Sequence, residues 1–171
     1  MIFNTLNKID ISNIPVVIVG SGPAAITLAL ELEKNNIDSL IIEAGEEEYN
    51  YDSQQNYNGE IIGDSISNLT HSRLRQFGGT SGHWGGWVRP LEEYNFEKWN
   101  IQINELDKYS DSACDILSIK KKFHTAKLNK YFDQIEFQYS KVRFAKKYKN
   151  KILKSNKIKL VLKTQVTHFE G

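Results

Sequence analysis

Val16-Val17-Ile18-Val19 is an unbroken β-branched run, the pattern of a short strand buried on both faces. Gly20-Ser21-Gly22-Pro23 interrupts it. From Ala24 to Asn35 the apolar positions Ala25, Ile26, Leu28, Ala29 and Leu32 wrap most of a helix, which ends among Glu31, Glu33 and Lys34. Leu40-Ile41-Ile42 predicts a second buried strand, closed by Glu43-Ala44-Gly45. Strand, glycine turn, helix and strand within about 30 residues form one βαβ unit, whose crossover is expected to be right-handed.

Downstream the pattern loosens. Residues 46–75 are polar and irregular, and a glycine-rich stretch, Phe77 to Trp87, follows them. Asn104 to Leu117 predicts a helix with Leu106, Tyr109, Ala113 and Leu117 on one face. A second helix is expected over Lys146–Ser155, and the alternation of Lys159–Phe169 suits a strand or a bent strand pair. Together these elements predict an α/β fold, a partial three-layer Rossmann-like nucleotide-binding domain. Its strands near 16–19, 40–43 and 159–168 should lie in the order 3-2-1. Residues 1–14 read as an N-terminal extension and 15–171 as the nucleotide-binding domain.

Composition narrows the function. The 171 residues carry 22 Lys and Arg against 21 Asp and Glu, a net charge of +1 that argues against a dedicated nucleic-acid binder. The balance hides an asymmetry: Glu31 to Asp64 is acidic, whereas Lys and Arg dominate Lys120 to Lys163. Those lysines alternate with Phe, Tyr, Ile and Leu without an arginine cluster, the pattern of a solvated face. No apolar run approaches the roughly 18 residues of a membrane span, and the opening MIFNTLNKIDISN is too polar for a signal-peptide core. One cysteine, Cys114, leaves no internal disulfide and no Cys-based zinc site, so a reduced cytoplasmic setting is expected. Cys114 reads as a small buried hydrophobe, and His71, His124 and His168, without metal-ligand spacing, as structural or surface residues.

Gly20-Ser21-Gly22-Pro23-Ala24-Ala25 fits G-x-G-x-x-[G/A] between a strand and a helix. Gly20 permits the tight turn, Gly22 lets a pyrophosphate approach the backbone, and Ala25 lets helix and strand pack closely. Free N–H groups at the helix start supply an anion site, and Pro23 forfeits only a donor that was already free. Glu43, 23 positions after Gly20, stands where a carboxylate accepts from a ribose hydroxyl and disfavours a 2′-phosphate. The motif alone does not separate NAD from FAD.

The second glycine-rich stretch makes a family visible. Gly20–Ala25, Ile42-Glu43-Ala44-Gly45 and Arg75-Gln-Phe-Gly-Gly-Thr-Ser-Gly-His-Trp-Gly-Gly-Trp-Val-Arg-Pro-Leu91 together resemble the glucose–methanol–choline (GMC) flavoprotein oxidoreductases, in particular the pyranose-oxidase-like branch. Asn95-Phe96, Trp99 and Leu106–Tyr109 extend the likeness. So does Lys159–Phe169, similar to the strand that reaches the adenine in related flavoproteins, which implies adenine contact at Val166.

The resemblance implies FAD as cofactor and oxidation of an alcohol or sugar CH–OH group, with hydride passing to flavin N5. It implies that Gly79, Thr80, Ser81 and Trp84 lie against the flavin. Arg75 faces a phosphate or the flavin's pyrimidine edge, or is a surface arginine. His83 stands at the position that in pyranose-oxidase-like relatives bonds covalently to the flavin 8α-methyl group; a plain hydrogen-bonding role is the alternative. Trp84, Trp87 and Trp99 are expected to share the flavin-side core. The family's proteins are several times longer, with the substrate domain and a catalytic histidine pair in their C-terminal part. The chain is therefore expected to be an N-terminal portion of that architecture, with no catalytic residue of its own. The partner expected for the complete enzyme is a small-molecule alcohol or sugar, with neither nucleic acid nor membrane. Two rival readings stand beside it: a non-catalytic nucleotide-binding fragment that needs a partner chain, and an NAD-dependent dehydrogenase.

Overall fold

The run at 16–19 does form a strand, β2 (Val16–Val19), and it feeds helix α1 (Pro23–Lys34) and strand β3 (Ser39–Ile42). These are the expected βαβ elements: β2 and β3 pair in parallel, with Val17 opposite Leu40 and Val19 opposite Ile42. Gly22 caps α1, and Pro23 occupies its first turn, where a missing N–H leaves nothing unpaired. The computed structural model describes residues 1–64 and 67–170. Ser65 and Ile66, within the irregular stretch 46–75, and Gly171, which closes the expected 15–171 domain, lie outside the described residues.

Two more parallel strands complete the sheet, β1 (Ile2–Phe3) and β8 (Ile158–Val161), in the order β1-β8-β3-β2. The three expected strands keep the 3-2-1 order as β8-β3-β2, and the fold is α/β and Rossmann-like. The added edge strand β1 comes from the first residues of the chain and pairs with Leu160 and Val161. One face of the sheet meets α1, which buries Ile26, Ala29 and Leu30, and α6 (Phe144–Lys154), which buries Phe144, Tyr148 and Ile152. The i, i+4, i+8 spacing of those three places them on one stripe, with lysines on the opposite side. Against Leu40 and Val161 pack Ile9, Leu6, Ile14 and Phe3, so the N-terminal segment serves as core cover.

Three expectations need correction. β2 is not buried on both faces: Val17 and Val19 are each 54% exposed, because no described strand pairs with its outer side and the N-terminal cover stops short of it. The Lys159–Phe169 strand ends at Val161, and Lys163 takes a left-handed φ of +56° that breaks the ladder. The chain still hydrogen-bonds onward, Lys163 N–H to Gly45 O and Thr164 N–H to Glu43 O. The helix expected over 104–117 is two helices, α4 (Ile103–Asp107) and α5 (Ser110–Leu117).

The chain divides into two units, residues 1–84 with 143–171 and residues 85–142. The second unit holds α4, α5 and two small antiparallel pairs: β4 (Trp87–Val88) with β7 (Gln138–Tyr139), and β5 (Thr125–Lys127) with β6 (Asp133–Ile135). Trp87 and Trp99 belong to it and are exposed, contrary to the expected shared tryptophan core. Trp87 packs on Tyr139 and Trp99 edge-on to Phe96. Cys114 is buried as expected, and that burial pushes its thiol pKa up.

Candidate functional site

The turn after β2 begins with Gly20 at φ +89°, a left-handed conformation that glycine adopts without a side-chain clash. Its N–H donates to Ile42 O at 2.7 Å, which fixes the turn against the end of β3. A methyl group added at Gly20 or Gly22 would meet nothing within 4 Å, so the outer side of the turn is open backbone. Pro23 and Ala25 are half-buried and Ala24 is exposed at the start of α1.

Ser21 is fully buried and ties three segments together. Its Oγ donates to Glu43 Oε2 at 2.6 Å and accepts from Gly78 N–H at 3.2 Å, while its own N–H donates to Glu43 Oε2 at 2.9 Å. Gly45 N–H occupies the other carboxylate oxygen, Oε1, at 2.8 Å. Glu43 thus accepts three hydrogen bonds from its own chain. A carboxylate has about four acceptor positions, and these bonds fill three of them.

The second glycine-rich stretch folds onto this turn. Gly79 approaches so closely that a side chain there would lie 3.1 Å from Gly22 Cα, and Gly79 itself has φ +54°. Ser81 Oγ donates to Gly78 O at 2.6 Å and accepts from Phe144 N–H at 3.2 Å, which anchors the 79–82 turn to the first turn of α6. Thr80 Oγ1 accepts from Leu74 N–H at 3.3 Å. His83 is exposed, and Trp84 is half-buried edge-on to Phe144, with ring centroids 6.2 Å apart.

Arg75 is not a surface arginine: it is 9% exposed. Its guanidinium donates to Ser53 Oγ and, at 3.0 Å, to Gln165 Oε1. Val166 follows Gln165 and is half-buried. Residue by residue, Gly20–Gly22, Glu43 and Gly79 meet around one turn, Thr80 and Ser81 follow Gly79 but bond to Leu74, Gly78 and Phe144, and Arg75 bonds to the segments that follow β3 and β8.

One organising residue escapes the sequence pattern. Gln54 is 1% exposed; its Nε2 donates to Thr70 O and Arg73 O, and its Oε1 accepts from Arg75 N–H. It holds the polar excursion in place with two short helices, α2 (Tyr51–Gln54) and α3 (Leu69–Ser72). The signal that could have found these helices is their caps, since Asn50 and Asn68 each accept from a backbone N–H of the first turn.

Among the described residues no group of His, Cys, Asp and Glu could hold a metal ion. No described helix is long and apolar enough to cross a membrane. The class that fold and turn define is a Rossmann-like α/β protein. The chain matches no protein-family model, and no curated protein matches it.

Proposed function

We propose that this chain is the FAD-binding portion of an oxidoreductase that acts on the CH–OH group of an alcohol or sugar. The observation that carries the reading is the meeting of two glycine segments, 57 residues apart, at the carboxyl ends of parallel strands, with Ser21 bonded to both Glu43 and Gly78. Open α/β sheets bind their ligands at that end. Open backbone at Gly20 and Gly22 fits a pyrophosphate, and the remaining acceptor position on Glu43 fits a ribose hydroxyl.

In this reading Gly20 to Ala25 hold the pyrophosphate, Glu43 orients the ribose, Val166 borders the adenine, and Gly79, Thr80, Ser81, His83 and Trp84 border the flavin. FAD, when bound, supplies the hydride acceptor. Arg75 acts by position, bracing the 53–54 and 165 segments around the same strand ends. The expected site in the cell is the cytoplasm. Titration of the purified protein with FAD, NAD and ADP, followed by tryptophan fluorescence and visible absorbance, tests the proposal. Saturable binding with FAD preferred over NAD supports it. Equal binding of NAD and FAD favours the dehydrogenase reading, and no binding favours a fragment without cofactor.

A further inference from the structure

Residues 58–62 follow a turn of 3-10 helix, Gln55–Tyr57, and form neither helix nor strand. Asn58, Gly59 and the three residues after them are all exposed. Asn58 is extended, with φ −67° and ψ +134°, and one contact holds its side chain: Nδ2 donates to Gln55 Oε1 at 2.6 Å. Gly59 N–H makes no hydrogen bond among the described residues, and a methyl group added at Gly59 would meet nothing within 4 Å. Of the chain's asparagines only Asn58 precedes a glycine; every other precedes a larger residue. Elsewhere the carboxamide is engaged in a turn: Asn50 Oδ1 accepts from Ser53 N–H, and Asn129 Oδ1 from Tyr131 and Phe132 N–H.

We propose that Asn58 is a site of spontaneous modification, deamidated by attack of the Gly59 backbone nitrogen. The Gly59 N–H gives its proton to solvent base, and the nitrogen bonds to Asn58 Cγ. The Cγ–Nδ2 bond breaks, and ammonia leaves with a proton taken from water. Water then opens the five-membered imide at one of its two carbonyls. Opening at Cγ leaves aspartate, and opening at the main-chain carbonyl leaves isoaspartate, with one extra methylene in the backbone. No electrons are exchanged with any other group. The attack needs Asn58 ψ to turn from its extended value, and a glycine without a Cβ or a bonded N–H leaves that rotation open. The product adds a negative charge to an exposed segment remote from the sheet, so modified molecules stay folded and accumulate with age.

Timed incubation of the intact protein, followed by peptide mapping in a mass spectrometer, tests the proposal. Trypsin releases residues 35–73 as one peptide, in which Asn35, Asn36, Asn50, Asn56 and Asn68 serve as internal controls. A gain of about 1 Da should build up at Asn58, faster at alkaline than at neutral pH, with isoaspartate as a separate peak. Its rate should exceed that at each control at least ~10-fold, and Gly59→Ala should slow it by a similar factor. Incubation in urea should change the rate at Asn58 by no more than about threefold, because the folded segment already leaves the reaction open. No mass gain at Asn58, or a gain no faster than at the controls, overturns the proposal. So does a Gly59→Ala variant that reacts as fast as the parent, or a native chain much slower than the unfolded one.

Discussion

Replacing Glu43 by Gln tests whether its carboxylate is a structural hub, independently of any nucleotide. The side chain is 6% exposed and accepts from Ser21 N–H, Ser21 Oγ–H and Gly45 N–H. A glutamine has one acceptor oxygen, so its amide nitrogen must face at least one of those donors. If the oxygen takes the Ser21 pair, the amide confronts Gly45 N–H. If it takes Gly45, Ser21 N–H is left facing a donor and Ser21 Oγ must rotate away from its present role. Either way one bond to a charged acceptor disappears and a buried N–H loses its partner, a cost of about 2–4 kcal/mol. In a chain of this size each kcal/mol lowers Tm by about 2–4 °C, so a fall of about 4–16 °C is expected in a thermal melt followed by circular dichroism. FAD affinity of the folded variant should fall by a further ~1–3 kcal/mol. A Tm within about 1 °C of the parent would refute the hub reasoning, because the three bonds would then contribute almost nothing net.

Further expectations follow from particular contacts. Gly45→Ala would bring its Cβ to 2.1 Å from Arg75 O, a backbone clash, so this variant should lose more than ~3 kcal/mol in a guanidinium melt or fail to fold. His83→Ala should leave the melt unchanged, since His83 is exposed, and should weaken FAD binding; equal affinity removes His83 from the site. Colour in an acid precipitate of FAD-loaded parent, lost in that variant, distinguishes a covalent link from a contact. Burial raises the Cys114 pKa, so alkylation by iodoacetamide should reach half-maximal rate above the ordinary thiol pH. The sign for stability is the same: a thiol that holds its proton in the folded state contributes stability below the unfolded pKa and loses it as pH rises through the folded one. In hydrogen exchange, Phe144–Val161 should be slow and the exposed hairpin 125–135 fast.

The βαβ unit was legible because its signals are local: a β-branched run, glycines where the turn needs them, and an apolar helix, all contiguous. Ser21 shows the limit. Its place in the motif was plain, but its bonds to Glu43 and to Gly78, 57 residues later, depend on how two distant segments fold together. Ile2 and Phe3 read as an extension because a two-residue strand has no period to detect, and only their pairing with Leu160 and Val161 makes them part of the sheet. The exposure of Val17 and Val19 was illegible for the opposite reason. Their composition is that of a buried strand, and burial depends on what lies beside them. Arg75 carries no pattern that separates surface from interior; Ser53 and Gln165, far apart in sequence, decide it.

The central claim, nucleotide binding at the turn after β2, rests most directly on Gly22. Its φ of −69° suits any residue, and a methyl group there meets no protein atom within 4 Å, so Gly22→Ala should melt within ~2 °C of the parent. That methyl would instead occupy the space through which a pyrophosphate reaches the backbone. FAD titration of parent and variant side by side should therefore show saturable binding to the parent and at least ~10-fold weaker binding to the variant, about 1.4 kcal/mol. Equal affinities, or no binding to the parent, would contradict the account.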